Sequence, residues 1–268
     1  MKTLILLPLA ATLSAFADPG WTLTNSVGAR FTSDKVQVRV ANLSGGCAAS
    51  GITADDLVGL INPAIRDFWN TIPSSRLELK DGGFLDTSDT DFRDGELCLH
   101  DGNCASPPIP RVSDIVITCN TNATNFPNGS SLLALTLPTV LSGRDIKGAV
   151  IAINATNTSF SGLSRNKQIA VLAHEIGHAI GLGHTGVSAN LMYYTVVPTR
   201  ERLGQGDING VTYLYPVQLD MYGFGCLTGT VSEGNSGGPT PPPTAWIGSL
   251  LLGALLALVF GKRLRPQT

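Results

Sequence analysis

Eleven residues constrain this chain more than any other stretch: His174-Glu175-Ile176-Gly177-His178-Ala179-Ile180-Gly181-Leu182-Gly183-His184. An apolar run from Gln168 leads into them, and Ser164 stands where a helix starting near Arg165 needs its N-cap. On that helix His174 and His178 are i and i+4. Both imidazoles therefore leave from one face and can bind one ion. Glu175 projects beside them at a different angle, within reach of a water on that ion. Gly181 and Gly183 permit a sharp turn that brings His184 back as a third ligand. The chain has four histidines, and three of them lie in these eleven residues; His100 is the fourth. Three nitrogen ligands suit zinc with its fourth position open, the arrangement of catalytic sites. Zinc brings the pKa of its water down towards ~7. Glu175 can accept the released proton and pass it to a leaving amine, so the expected reaction class is metal-assisted amide hydrolysis.

The rest of the body alternates short strands with a few helices. Lys35 to Val40 alternates polar and apolar residues, the mark of a half-buried strand. Thr53 followed by Asp55 and Asp56 forms a capping-box-like start. Leu57, Leu60, Ile61, Ala64, Ile65 and Phe68 continue it as one apolar helix face. Pro63 is expected to kink that helix or to start a second segment. Arg76 to Lys80 predicts a strand that stops at Asp81-Gly82-Gly83. Asp114 to Cys119 and Lys147 to Asn154 predict interior strands, and Leu132 to Leu137 predicts one near an edge. The order gives an α+β fold, with α/β layering over a mixed sheet.

The series His174-Glu175-x-x-His178-x-x-Gly181-x-x-His184, followed by Met192 within Ala189-Asn190-Leu191-Met192-Tyr193, resembles the metzincin zinc peptidases. The short gap to Met192 and the Leu-Met-Tyr sequence are most similar to the matrixin branch. Gly206 to Tyr215 is similar to the start of the last catalytic-domain helix of matrixins. The resemblance spans roughly residues 35 to 216 and is strong from Gln168 to Tyr215. It implies a twisted mixed sheet, an active-site helix, and a C-terminal helix after a methionine turn. It also implies one catalytic zinc on His174, His178 and His184, Glu175 as the catalytic base, and Met192 as structural support beneath the metal. Tyr194, two residues beyond Met192, stands where astacins and serralysins place a tyrosine, which makes it a candidate oxyanion stabiliser. The sequence departs from the pattern at Thr185, where matrixins usually carry serine. It shows no cysteine-switch sequence. With only His100 spare, it is not expected to hold the second, structural zinc of many matrixins.

The ends of the chain differ in kind from its body. Met1 to Ala17 has a basic start, an apolar run and an Ala15-Phe16-Ala17 ending, the pattern of a secretory signal peptide. Residues 227–244 are rich in Gly, Ser, Thr and Pro and read as a linker. Ala245 to Gly261 is uncharged and just long enough to span a bilayer or to serve as a sorting signal. Residues 262–268 carry Lys262, Arg263 and Arg265 and form a basic tail on the cytoplasmic side. The metzincin-like catalytic domain is accordingly expected over 18–226, exported to the cell surface or beyond, with membrane contact through 245–261.

Lys2 and the three basic residues of the tail are four of 18, so 14 basic residues face 20 acidic ones in between. An acidic body does not suit phosphate binding, and no nucleic-acid partner is expected. Hydrophobic residues at 43% and charged ones at 14% exclude a disordered chain. Five cysteines allow a Cys98–Cys104 bridge and leave Cys47, Cys119 and Cys226 unassigned. Asp86, Asp89, Asp91, Asp94 and Glu96 crowd one loop and make Ca2+ a candidate second ion. The reading is a zinc metalloendopeptidase acting on a protein or peptide substrate. Its rival is a catalytically silent surface binding protein of the same fold, which the presence of Glu175 disfavours.

Overall fold

A computed structural model of the chain describes residues 20–43, 50–87, 89–98, 104–194 and 202–217, with the side chains of 89–90 and 139–141 excepted. The signal segment, linker, apolar span and basic tail lie outside the described residues, as do Cys47, His100, Cys226 and residues 195–201. The described residues belong to one compact unit ending at Leu219; a second unit, Asp220–Thr268, lies wholly outside them. Among the described residues no helix is long and apolar enough to cross a membrane.

The element order is β1 (Thr22–Leu23), β2 (Arg30–Phe31), β3 (Lys35–Ala41), α1 (Ala54–Arg66), β4 (Glu78–Leu85), α2 (Asp89–Asp94), β5 (Ile115–Asn120), β6 (Ala134–Ser142), β7 (Asp145–Asn154), α3 (Arg165–Ala179), β8 (Leu182–Gly183) and α4 (Gln205–Leu214), with one 3₁₀ turn at Trp69–Thr71. A six-stranded sheet runs β2-β7-β5-β3-β4, with β6 against β7. All its pairings are parallel except β6 with β7. Every residue of β5 is buried, as is nearly all of β7, because both strands are covered on both faces. Helices α1 and α3 lie side by side, α1 over β3 and β4 and α3 over β6 and β7. This is the α+β layering the sequence implies.

Helix α1 starts as expected. Thr53 and Asp56 form a reciprocal capping box, and the hydrogen bonds from Thr53 hold the Asp56 carboxyl below its ordinary range. Two expectations need correction. Pro63 neither breaks α1 nor opens a second segment; the helix runs through it from Ala54 to Arg66. Proline lacks the N–H that would bond the Gly59 carbonyl one turn back. Arg165 at the start of α3 supplies the missing donor, its Nη2 lying 2.6 Å from that oxygen. The second correction concerns β4, which does not stop at Asp81-Gly82-Gly83 but continues to Leu85. The parallel ladder with β3 carries it past the turn-like residues through a register shift between Val38 and Val40. The Asp81 carboxylate accepts the Gly83 N–H at 2.9 Å, so the local turn chemistry is satisfied inside the strand.

Strand β6 has β7 as its only neighbour among the described strands, so it is an edge strand, as expected for this part of the chain. Cys98 and Cys104 are bridged. Cys119, buried in β5, is also disulfide-bonded, to a residue outside those described.

Candidate metal centre

Helix α3 begins after Ser164, as expected, although the Ser164 side chain makes no capping bond. It carries His174, Glu175 and His178 on its buried stretch. At its C-terminal end Tyr215 is fully buried, donating its hydroxyl proton to the Ile180 carbonyl at 2.8 Å and accepting the Phe31 N–H at 3.0 Å. Burial raises the Tyr215 pKa, so the phenol stays protonated and keeps that bond. Gly181 then turns the chain at φ +110°, a conformation side chains resist, with the Ala29 carbonyl lying where a Cβ would project. Gly183 plays a different part from the one expected. It does not turn the chain but sits in β8, so close to Leu23 and Thr22 that a side chain there would have no room. Strand β8 pairs antiparallel with β1. Thr24 donates to the Leu182 carbonyl at 2.7 Å, and Thr22 donates to the His184 carbonyl at 2.5 Å. Those contacts hold the backbone of the third histidine.

The three histidines converge. His184 Nε2 lies 3.2 Å from His174 Nε2 and 3.1 Å from His178 Nε2. The opposite ring nitrogens are occupied: His174 Nδ1 lies 2.8 Å from the Leu191 carbonyl, and His178 Nδ1 lies 2.8 Å from the Leu182 carbonyl. A carbonyl only accepts, so each Nδ1 carries the proton and each Nε2 presents a lone pair. Those lone pairs point toward His184 Nε2, where a cation could accept all three rings. Tetrahedral zinc with Zn–N bonds of 2.0–2.1 Å would set its ligand nitrogens about 3.3 Å apart, close to the spacing here. The donor set therefore fits zinc. Desolvation, and after it the charge of His174, lowers the pKa of His178 and His184, which keeps both rings neutral and ready to ligate. Among the described residues these histidines form the only cluster of three metal-ligating side chains. In the acidic segment, Asp94 accepts from Arg93 and Thr121, and Glu96 accepts the Ser106 N–H.

Met192 is buried, and its sulfur packs under α3 at Gly177, beside the indole of Trp69. Trp69 donates to the Ala173 carbonyl at 2.9 Å. The turn carrying Met192 is clamped from α4. The Asp207 carboxylate accepts N–H groups from Leu191 (2.6 Å), Met192 (3.1 Å) and Gly204 (2.7 Å). Burial raises the pKa of Asp207, and those three donors pull it back. The peptide that Asp207 fixes is the one whose carbonyl orients His174.

Glu175 is only 6% exposed. Burial pushes its carboxyl pKa up, opposed by His174 and by a hydrogen bond from Thr136 on β6 at 2.5 Å. The histidines and Glu175 border a cleft of about 730 Å³, whose other walls come from β1, from residues 131–136 and from Tyr194. Tyr194 is 59% exposed, with its hydroxyl 3.0 Å from that of Tyr193. His174, Glu175, His178, His184 and Tyr194 thus border one cleft, while Met192 lies buried against α3. Several supports were not read: Thr136, Trp69, Asp207, Thr22 and Thr24. Asp207 alone left a signal, as an acidic residue three positions past the cap of an amphipathic helix. The others act across long separations that no local pattern records.

Residues 121–216 match the family model of the matrixins, peptidase family M10, over just more than a third of the chain. Metalloendoproteinase 2-MMP of Arabidopsis thaliana is 42% identical over 56 residues, 20% of this chain and 15% of that protein's length. With the mixed sheet and the three-histidine centre, these matches support a matrixin-like domain of the metzincin α+β fold. The matrixin family is one of zinc metallopeptidases, and the three-histidine cluster fits the zinc such a family implies.

Proposed function

We propose that the protein is an exported zinc endopeptidase, held at the cell surface or released from it according to the fate of residues 245–261. The observation that carries the catalytic reading is a buried carboxylate, Glu175, next in sequence to one of three imidazoles whose Nε2 atoms meet in an open cleft. When bound, zinc polarises a substrate carbonyl and makes a water acidic enough to lose its proton near neutral pH. Glu175 accepts that proton and delivers it to the departing amine. Tyr194, on the cleft wall, donates a hydrogen bond to the oxygen that gains charge as the carbonyl is attacked. The substrate lies extended and pairs its main chain with the open edge of β6. The export signal, the apolar span and the basic tail are sequence readings, and they supply the location.

The test is hydrolysis of a mixed peptide library by the purified protein, beside Glu175→Ala and Tyr194→Phe, with zinc content measured in all three. Glu175→Ala is expected to keep its zinc and lose at least about a hundredfold in kcat/KM. Tyr194→Phe is expected to lose about tenfold or more, mainly in kcat. A zinc-loaded parent that cleaves nothing would favour the binding-protein reading. An unchanged Tyr194→Phe would remove the oxyanion role alone.

A further inference from the structure

Glu175 receives its side-chain hydrogen bond from the hydroxyl of Thr136, 2.5 Å from Oε2, while the same hydroxyl is 3.3 Å from the Glu175 carbonyl oxygen. A hydroxyl has one proton to give, and the shorter contact has the length of a charge-assisted O–H···O bond. Thr136 is half-buried on β6, where it stands opposite Ile151 of β7. The strand is therefore fixed on one side by the sheet and borders the cleft on the other. The donor does not come from the metal-binding helix. It reaches Glu175 from a separate element, 39 residues away.

We propose that Thr136 is a positioning residue for the base: it anchors Oε2 of Glu175 so that Oε1 alone is presented to the reacting water. This rests on the reading of Glu175 as the base. A glutamate side chain held only by its own stem keeps several rotamers, and each departure from the reactive one lowers the rate without weakening substrate binding. One bond from a rigid strand removes those alternatives before substrate arrives. The ring nitrogens of the three histidines pair with one another and with the Leu191 and Leu182 carbonyls, not with Thr136, so its loss leaves the histidine cluster in place.

The experiment compares the parent with Thr136→Val, which keeps the shape without the hydroxyl, and Thr136→Ser, which keeps the hydroxyl. Thr136→Val is expected to lower kcat about ten- to a hundredfold with KM within about twofold, and Thr136→Ser to stay within about threefold of the parent. All three should bind zinc equally. Crystal structures of the metal-free proteins supply a readout independent of turnover. The Glu175 carboxylate should leave its parent position in Thr136→Val and keep it in Thr136→Ser. An unmoved carboxylate in the valine variant, or a valine variant with parental kcat, would overturn the proposal. If the parent cleaves nothing, the peptidase reading fails by itself, and the metal-free structures still decide whether Thr136 positions Glu175.

Discussion

A Cβ placed on Gly177 would collide with the sulfur of Met192 and come within 2.8 Å of the Trp69 ring. Neither neighbour is free to retreat. Trp69 is tied to the Ala173 carbonyl, and the Met192 N–H is held by Asp207. Gly177→Ala is therefore expected to destabilise the fold by about 1–3 kcal/mol despite alanine's better helix propensity, as read from urea unfolding midpoints. A neutral or stabilising effect would show that the support beneath α3 yields. Side chains of this site differ in how far they can be read from sequence. His174, Glu175, His178 and His184 are legible because their residue types and spacing carry the chemistry along one helix and one turn. Thr136 is not, because its role depends on the register that sets β6 against β7 and on where α3 crosses that strand. Met192 could be named, but the reason it needs glycine above it could not.

Among the elements, α1 and α3 are joined by a contact that neither sequence segment announces. Proline at 63 frees the Gly59 carbonyl, and Arg165 takes it. Removing Arg165 alone leaves that oxygen to water; removing Pro63 alone restores an N–H that competes for it. Arg165→Ala is expected to cost about 0.5–1.5 kcal/mol in the parent and distinctly less in a Pro63→Ala background. Strict additivity in a double-mutant cycle, followed by chemical denaturation, would rule the link out. This pair also explains how the helix runs on through the proline. The usual rule treats an interior proline as a loss within its own helix, whereas here a neighbouring element supplies the donor. Strand β4 teaches the same lesson. Asp81-Gly82-Gly83 satisfies every local criterion for a stop, and the ladder with β3 overrides it. Element existence was legible in the apolar periodicity of β3, α1, β5, β7 and α3. Element limits were decided by partners distant in sequence.

At the scale of the whole molecule, three imidazole Nε2 atoms packed together are a folded-state feature that a bound ion would stabilise and an unfolded chain does not share. Zinc should therefore raise the unfolding free energy, by about 1.4 kcal/mol for each tenfold rise in free zinc above its dissociation constant. Thermal or urea unfolding in a series of zinc buffers reads this directly. Stability indifferent to zinc across that series would contradict the site. The α+β class and the grouping of the site on one cleft followed from the strand and helix patterns together with the eleven-residue motif. The attachment of β1 to β8 did not, since two residues are too short to leave a periodic trace.

That attachment has a consequence for synthesis. Thr22 and Thr24 leave the ribosome among the first described residues, yet their partners, Leu182 and His184, emerge some 160 residues later. Helix α3, with two of its histidines, can form from local contacts, but the Leu182 and His184 carbonyls lack the hydroxyl donors of Thr24 and Thr22 until residues 22–24 fold back over β8. A nascent or N-terminally clipped chain would thus display the whole recognition sequence and still lack a finished centre. The third histidine's backbone is finished by a strand some 160 residues before it.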